Sequence, residues 1–334
     1  MRQRLVMTIA WLLLAACNNS APTGGPDLDV DLGPAPDLGP GAGSWRSLAS
    51  LPAPQQECGV VALGGELYVV GGFGRASERL DRVVVYEPSA DRWRDAAKLP
   101  VALHHPNIAV HGGKIYVLGS LRGFEFRADG ASFVYDPALD SWGDGPSMTA
   151  GRERGGGAAV TVGDAIYVFG GLRSGAKAEA DRLDVNAGTW TVLAEMPDVA
   201  DHLAGGLIGE KVYLAGGRDG SIAAHRASLL IYDPQRDAYD RGPAMPTSRA
   251  GLAAAVAGAK LFVFGGEGNS AHPSGVFDHN EAFDPATGAW STLAPIKTRR
   301  HGTGAATIDG RIYLPGGAAL QAFGASDVHE VFTP

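Results

Sequence analysis

Cysteine is nearly absent. Cys17 and Cys58 are the two in 334 residues, and the neighbours of the first give it a different use, so no intramolecular disulfide is expected. Positive charge is also short: 28 Lys and Arg face 36 Asp and Glu, a formal net charge of −8. A surface that acidic repels phosphate backbones, which excludes nucleic acid as a general partner. The apolar stretch from Leu5 to Ala16 is too short to span a bilayer comfortably. HExxH and GxSxG phrases and Cys/His spacings of the zinc type are missing, and the glycine-rich run Gly72 to Ser77 is not followed by a helix, so phosphate-loop readings fail on context. What is plentiful is glycine, 48 residues, and proline, 21, in a chain that is 45% hydrophobic. Glycine weakens helices and proline breaks them, whereas a turn-dense all-β core needs both.

The first residues read as an address and a tether. Arg2 and Arg4 precede the apolar stretch, the order of a secretory signal peptide, and their removal takes the charge from −8 to −10. The stretch ends in Leu14-Ala15-Ala16-Cys17, which resembles the lipobox of bacterial lipoproteins. The resemblance implies cleavage after residue 16, acylation of Cys17, stable membrane anchoring through several acyl chains, and, with Asn18 next, an outer-membrane destination on its periplasmic or surface face. Residues 17–43 combine the lipidated cysteine with a Pro/Gly/Asp-rich segment free of aromatics, expected to be a flexible leash.

From residue 44 the chain repeats itself. The phrases "ELYVVGG", "KIYVLGS", "AIYVFGG", "KVYLAGG", "KLFVFGG" and "RIYLPGG" place their first glycines at 71, 119, 170, 216, 265 and 316, spaced by 48, 51, 46, 49 and 51. Each is preceded by a strand of small residues and a glycine turn, and followed by a loop, a third strand such as "VYEP" or "IYDP", and a fourth around an aromatic. From third strand to aromatic the distance is constant: Tyr86 to Trp93, Tyr135 to Trp142, Leu183 to Trp190, Tyr232 to Tyr239 and Phe283 to Trp290 are each seven residues. A period near 50 with this wording resembles the kelch repeat of β-propellers. The sixth unit lacks its aromatic strand, and "SWRSLASLP" from Ser44 supplies one. The expectation is an all-β, six-bladed kelch-type propeller over residues 44–334, closed by the N-terminal strand pairing with the last blade. Where sheets converge on an axis, the glycines let backbones approach.

The loops before the first strands and those between second and third strands share one face, where variation collects. The former carry Gln55-Gln56-Glu57, His104-His105, Arg152-Glu153-Arg154, Asp201-His202, Arg249 and Arg299-Arg300-His301, expected to ring the channel mouth. Ligand-binding candidates are Gln56, Glu57, His104, His105, Arg152, Arg154, His202, Arg249, Arg300 and His301. Two readings stay open: the arginine forks hold an anionic ligand such as an acidic glycan, or they bond carbonyls of the adjacent blade. The irregular loop from Gly268 to Asn280 adds His272, Asp278, His279 and Asn280 as polar contact groups. His104 and His105, adjacent on a strand, should point to opposite faces, so no metal site is expected.

Two resemblances bear on catalysis. Kelch-type propellers include the galactose oxidases, with copper held by tyrosine and histidine and a thioether-linked Cys-Tyr radical. Here all nine tyrosines lie in strand phrases, Cys58 has no loop tyrosine to join, and the blades number six instead of seven, so copper chemistry is not expected. Cys58 reads as a small buried residue heading a strand. Sialic-acid mutarotases resemble the chain in being exported six-bladed kelch proteins, which would make Arg154, Arg249 and Arg300 a carboxylate clamp with Glu57 or Glu153 as proton carrier. The preferred expectation is a monomeric, non-catalytic interaction module at the cell envelope, without cofactor, binding a protein or an anionic glycan.

Overall fold

The computed structural model describes residues 42–334. The expected signal segment, Cys17 and the tether up to residue 41 lie outside the described residues.

Among the described residues, small apolar residues alternating with glycine turns give 24 strands in six four-stranded antiparallel sheets, with a single short 3₁₀ turn, Ile222–Ala224. Blades 1 to 5 span 59–95, 108–144, 158–192, 201–241 and 253–292. Blade 6 is composite: three strands from 306–333 are completed by Ser44–Ser47, with Trp45 opposite Phe332. The expected closure is therefore present, and both ends of the domain share one sheet. Ala42 and Gly43, expected in the tether, already belong to this seam, since the Ala294 N–H donates to the Ala42 carbonyl at 2.9 Å.

The constant seven-residue spacing has a direct cause. Tyr86 and Trp93, Tyr135 and Trp142, Leu183 and Trp190, Tyr232 and Tyr239, and Phe283 and Trp290 are cross-strand partners over one reused turn. Each fourth-strand aromatic then reaches backward to the preceding blade: the indole N–H groups of Trp93, Trp142, Trp190, Trp290 and Trp45 donate to the carbonyls of Ala49, Ala97, Pro146, Pro243 and Ala294 at 2.8–3.0 Å, and the Tyr239 hydroxyl donates to Ala194 at 3.1 Å. A bulky ring contributes apolar burial and its polar tip bolts two blades together. These rings are architectural, as the regular recurrence implied.

The glycine pairs act at the other end of the blade. Gly170 has φ +61°, and a Cβ there would lie 2.5 Å from the Ala200 carbonyl oxygen of the next blade. Only glycine fits both constraints. The second glycine uses its N–H in that approach: Gly72, Gly171, Gly217, Gly266 and Gly317 donate to Leu103, Ala200, Arg249, Arg300 and Gln55 of the following blade. Blade 2 has Ser120 in that place, and there the Asn107 amide donates to Arg154 O at 2.8 Å instead.

Candidate functional site

The chain enters each blade through residues 57, 105, 156, 202, 251 and 302, each fourteen positions before the first glycine of its blade. Their backbones form a closed ring around the axis. His105 N–H donates to Glu57 O, Gly156 to His105, His202 to Gly156, Gly251 to His202, Gly302 to Gly251 and Glu57 to Gly302, at 2.5–3.0 Å. All six residues are left-handed, with φ between 50° and 67°. Three are glycine, for which this costs nothing. Glu57, His105 and His202 hold the same conformation with a side chain, and strain of this kind, of order 1–3 kcal/mol per residue, clusters at functional positions.

Those three side chains meet. His105 Nε2 lies 2.9 Å from His202 Nε2 and 3.1 Å from Glu57 Oε2. The intervening glycines make this possible: Gly156 sits between the blades of the two histidines, and Gly302 leaves the space the Glu57 carboxylate occupies. The expectation that His104 and His105 point to opposite faces is corrected, because alternation holds only for extended backbone and His105 has φ +51°. Their Nδ1 atoms are 2.6 Å apart.

The hydrogen bonds fix the tautomers. The Gly123 carbonyl, 2.9 Å from His104 Nε2, can only accept, so that nitrogen carries the proton and His104 Nδ1 accepts from His105 Nδ1–H. His105 Nε2 is left with its lone pair facing the ring. Asp201 Oδ1, 2.5 Å from His202 Nδ1, holds that proton, and Arg218 donates to His202 Nε2 at 3.1 Å. Burial, with His202, His104, Arg218 and His301 around it, keeps His105 well below the usual imidazole pKa, and burial takes His104 down to about 4. Burial pushes Asp201 upward, but His202, Arg218 and the Gly220 N–H outweigh it and hold the carboxyl below its ordinary value.

Sequence reasoning missed two members. Arg218 and Glu267 follow the glycine pairs of blades 4 and 5, where the other blades carry Phe73, Leu121, Leu172 and Ala318. They form an ion pair across the two blades, and Arg218 Nε also bonds Asp201 at 2.9 Å. A charged residue at a position otherwise apolar was the signal. His301 donates from Nε2 to Leu320 O at 3.0 Å, while its Nδ1 stands 3.6 Å from Glu57 and 3.7 Å from Glu267, beyond hydrogen-bond reach.

The remaining candidates do not join the Glu57, His105 and His202 cluster. Arg154, Arg249 and Arg300 are buried and ion-paired within their own blades, to Asp181 (2.7 Å), Glu281 (2.6 Å) and Glu330 (2.8 Å), and donate to the Val168, Val263 and Leu314 carbonyls. Burial lowers all three guanidinium pKa values against the opposing pull of those carboxylates. The expectation of bonds to the adjacent blade is corrected, because each fork lies along its own second strand and is engaged by carbonyls and a carboxylate of its own blade. Arg152 joins the same Asp181 at 2.7 Å. Gln56 latches the last blade, donating to Ala322 O and accepting from Gly324 N–H. Glu153 accepts from Gly151 N–H, away from the ring. In the long loop, Asp278 pairs with Arg299 and Asn280 is a fully buried strand residue bonded to Ala294 O, so neither is a free contact group. Cys58 is a free, buried thiol pushed up to about 12 by burial.

Below the ring lies an axial channel of about 450 Å³ lined by glycine, alanine and valine of the first strands. Above it, loops of blades 1, 2 and 6 build an aromatic wall. Phe73 stacks on His104 at 4.3 Å and contacts Phe124, Phe126 and Phe323 at 5.5–6.3 Å, and the Arg79 guanidinium lies over Phe124 at 4.9 Å.

The kelch motif matches residues 56–100, 153–197 and 248–297. Kelch-like protein terF of Aspergillus terreus is 32% identical over 87% of this chain and 56% of its own length. Kelch-like protein 36 of Rattus norvegicus is 27% identical over 60% of the chain and 33% of its own length, and Beta-scruin of Limulus polyphemus is 30% identical over 56% and 21%. The chain thus spans about half the length, or less, of these curated relatives. The solved structure of YjhT superposes with a TM-score of 0.71 at 15% identity, covering 84% of this chain and 95% of that one, a likeness of fold.

Proposed function

We propose that this kelch-motif propeller is a protein-interaction module, monomeric and non-catalytic, held at the cell envelope through acylated Cys17 on the periplasmic or surface face of the outer membrane. The mouth is its working face. One observation carries the reading: among the described residues, five large apolar side chains are exposed, and two of them, Phe124 (57%) and Phe323 (42%), flank the buried Phe73 in the aromatic wall, with a third, Leu320 (54%), three residues before Phe323 on the same loop. The other two, Leu139 and Val192, are isolated, on a turn and an outer strand. An aromatic cluster on a rigid scaffold beside Arg79 has the composition of a binding hot spot, suited to a partner that inserts an apolar side chain. An acidic-sugar clamp is not favoured, since Arg154, Arg249 and Arg300 are already paired.

The test is photo-crosslinking in native membranes, with the reactive residue at 124, at 323, or at 139 as control. Protein adducts at the first two and none at the third support the proposal. Adducts at 139 alone, or none at 124 and 323, refute it. Cys17→Ser separately tests anchoring and is expected to release the chain from the membrane fraction.

A further inference from the structure

We propose that Glu57, His105 and His202 form a binding site for one divalent first-row transition-metal ion, of the Zn²⁺ or Fe²⁺ class, at the mouth of the channel. This goes beyond the partner-binding reading and does not depend on it.

Geometry is the first argument. Ligand atoms of Glu57, His105 and His202 all lie within 4.8 Å of one another, with neighbouring pairs at 2.9 and 3.1 Å. Nitrogen and oxygen ligands about 2.1 Å from a metal stand about 3.0 Å apart at right angles and about 3.4 Å apart in a tetrahedron. Two imidazole nitrogens and one carboxylate on one side of the ion, with the channel on the other, is the facial arrangement that leaves coordination positions open.

An excess of acceptors is the second argument. With the tautomers fixed as above, the Nε2 atoms of His105 and His202 face each other as lone pairs, next to a carboxylate. Two further buried groups have no hydrogen-bond partner: Glu267 Oε2, in a residue 2% exposed, and His301 Nδ1, in one 1% exposed. Among the described residues, the charged donor facing this set is Arg218, which is engaged by Asp201 and Glu267 as well as by His202 Nε2. Glu57, Glu267 and Asp201 against Arg218 leave two negative charges among four histidines, the complement of a divalent cation. Arg218 must yield its 3.1 Å contact with His202 to the ion, while its bonds to Asp201 and Glu267 retain the guanidinium.

The supporting shell is of the kind that orients metal-binding histidines. Asp201 holds His202 Nδ1–H, and His104, anchored on the Gly123 carbonyl, holds His105 Nδ1–H. The strained left-handed backbone at the three proposed ligands, beside glycine at the three sister positions, is then the conformational cost of aiming them at one point.

The experiment is calorimetric titration of the untagged chain with Zn²⁺ near neutral pH, with the Co²⁺ absorption spectrum as a second readout. One ion per chain is expected. Affinity should fall at least tenfold in Glu57→Gln, His105→Gly and His202→Gly, and about 10–100-fold in Asp201→Asn, which removes no ligand but weakens the hold on His202 Nδ1–H and takes away one of the two carboxylates that retain Arg218. The glycine variants keep the reasoning testable, because glycine already occupies this left-handed position in three blades and the fold, followed by circular dichroism, should persist. No uptake by the parent chain beyond that of the triple variant Glu57→Gly/His105→Gly/His202→Gly overturns the proposal. Undiminished uptake by that triple variant overturns it equally, since the ion would then be held elsewhere.

Discussion

If the buried arginines are fasteners, Arg300→Ala should destabilise the propeller severely and specifically. The Arg300 side chain is inaccessible, its NH1 is 2.8 Å from Glu330, and its NH2 donates to Leu314 O at 2.9 Å. Truncation leaves Glu330, 1% exposed, as a buried charge without its cation, on the His329–Thr333 strand that pairs with Ser44–Ser47 to close the ring. Breaking one side of such a pair costs about 3–5 kcal/mol. At about 2–4 °C per kcal/mol for a chain of this size, the melting temperature should fall by about 10 °C. Replacing both partners with apolar residues, Arg300→Met with Glu330→Leu, should recover most of the loss, because neither charge is then buried. Thermal unfolding followed by circular dichroism reads both variants. A fall of less than 2 °C in Arg300→Ala, or a double variant worse than the single, would refute the fastener assignment and return Arg300 to the list of ligand groups.

Other consequences are as direct. Gly170→Ala places a Cβ 2.5 Å from a backbone oxygen at φ +61° and should cost more than about 2 kcal/mol in urea unfolding, whereas Gly163→Ala, with the same hand of φ and open space around it, should cost about half of that. His329 is buried neutral beneath Tyr86, with its pKa lowered by burial to about 3. The unfolded chain takes up its proton near pH 6.5 and the folded one does not, so the share of stability due to His329 is complete above pH 6.5 and is lost at about 1.4 kcal/mol per unit below it, in the window that the depressed His104 and His105 also steepen. Between pH 6.5 and 5 that share is about 2 kcal/mol, and His329→Gln should reduce the loss by about that much, leaving the part due to His104 and His105. Cys58, held near 12 by burial, should resist iodoacetamide at pH 8 in the folded protein and react on unfolding, as mapped by mass spectrometry.

Much of this molecule could be read without coordinates because its repeat is also its geometry. The seven-residue spacing to Trp93 and its sisters is a cross-strand pair, and the orphan strand at Trp45 completes blade 6. What could not be read was the destination of each arginine. Arg154, Arg249 and Arg300 occupy one register, yet their carboxylates come 27, 32 and 30 residues later, across loops of unequal length, so no fixed offset pairs them. The histidines escaped for another reason. Alternation along a strand assumes extended backbone, and the left-handed turn at His105 brings two neighbouring imidazoles together.

The same periodicity locates the site by its exceptions. At the ring position, six equivalent backbones need a left-handed residue, and glycine in blades 3, 5 and 6 meets that need without cost. Stability alone would favour glycine in all six. Blades 1, 2 and 4 depart from it, and their three side chains converge on a single point, each oriented or flanked by a further exception: His104, Asp201, Arg218, Glu267 and His301. Independent accidents in separate blades would scatter around a sixfold axis. Departures that cost backbone strain and still meet within 4.8 Å are what a mouth built to hold the proposed ion requires, and the zinc titration of the triple glycine variant is the measurement that separates this from chance.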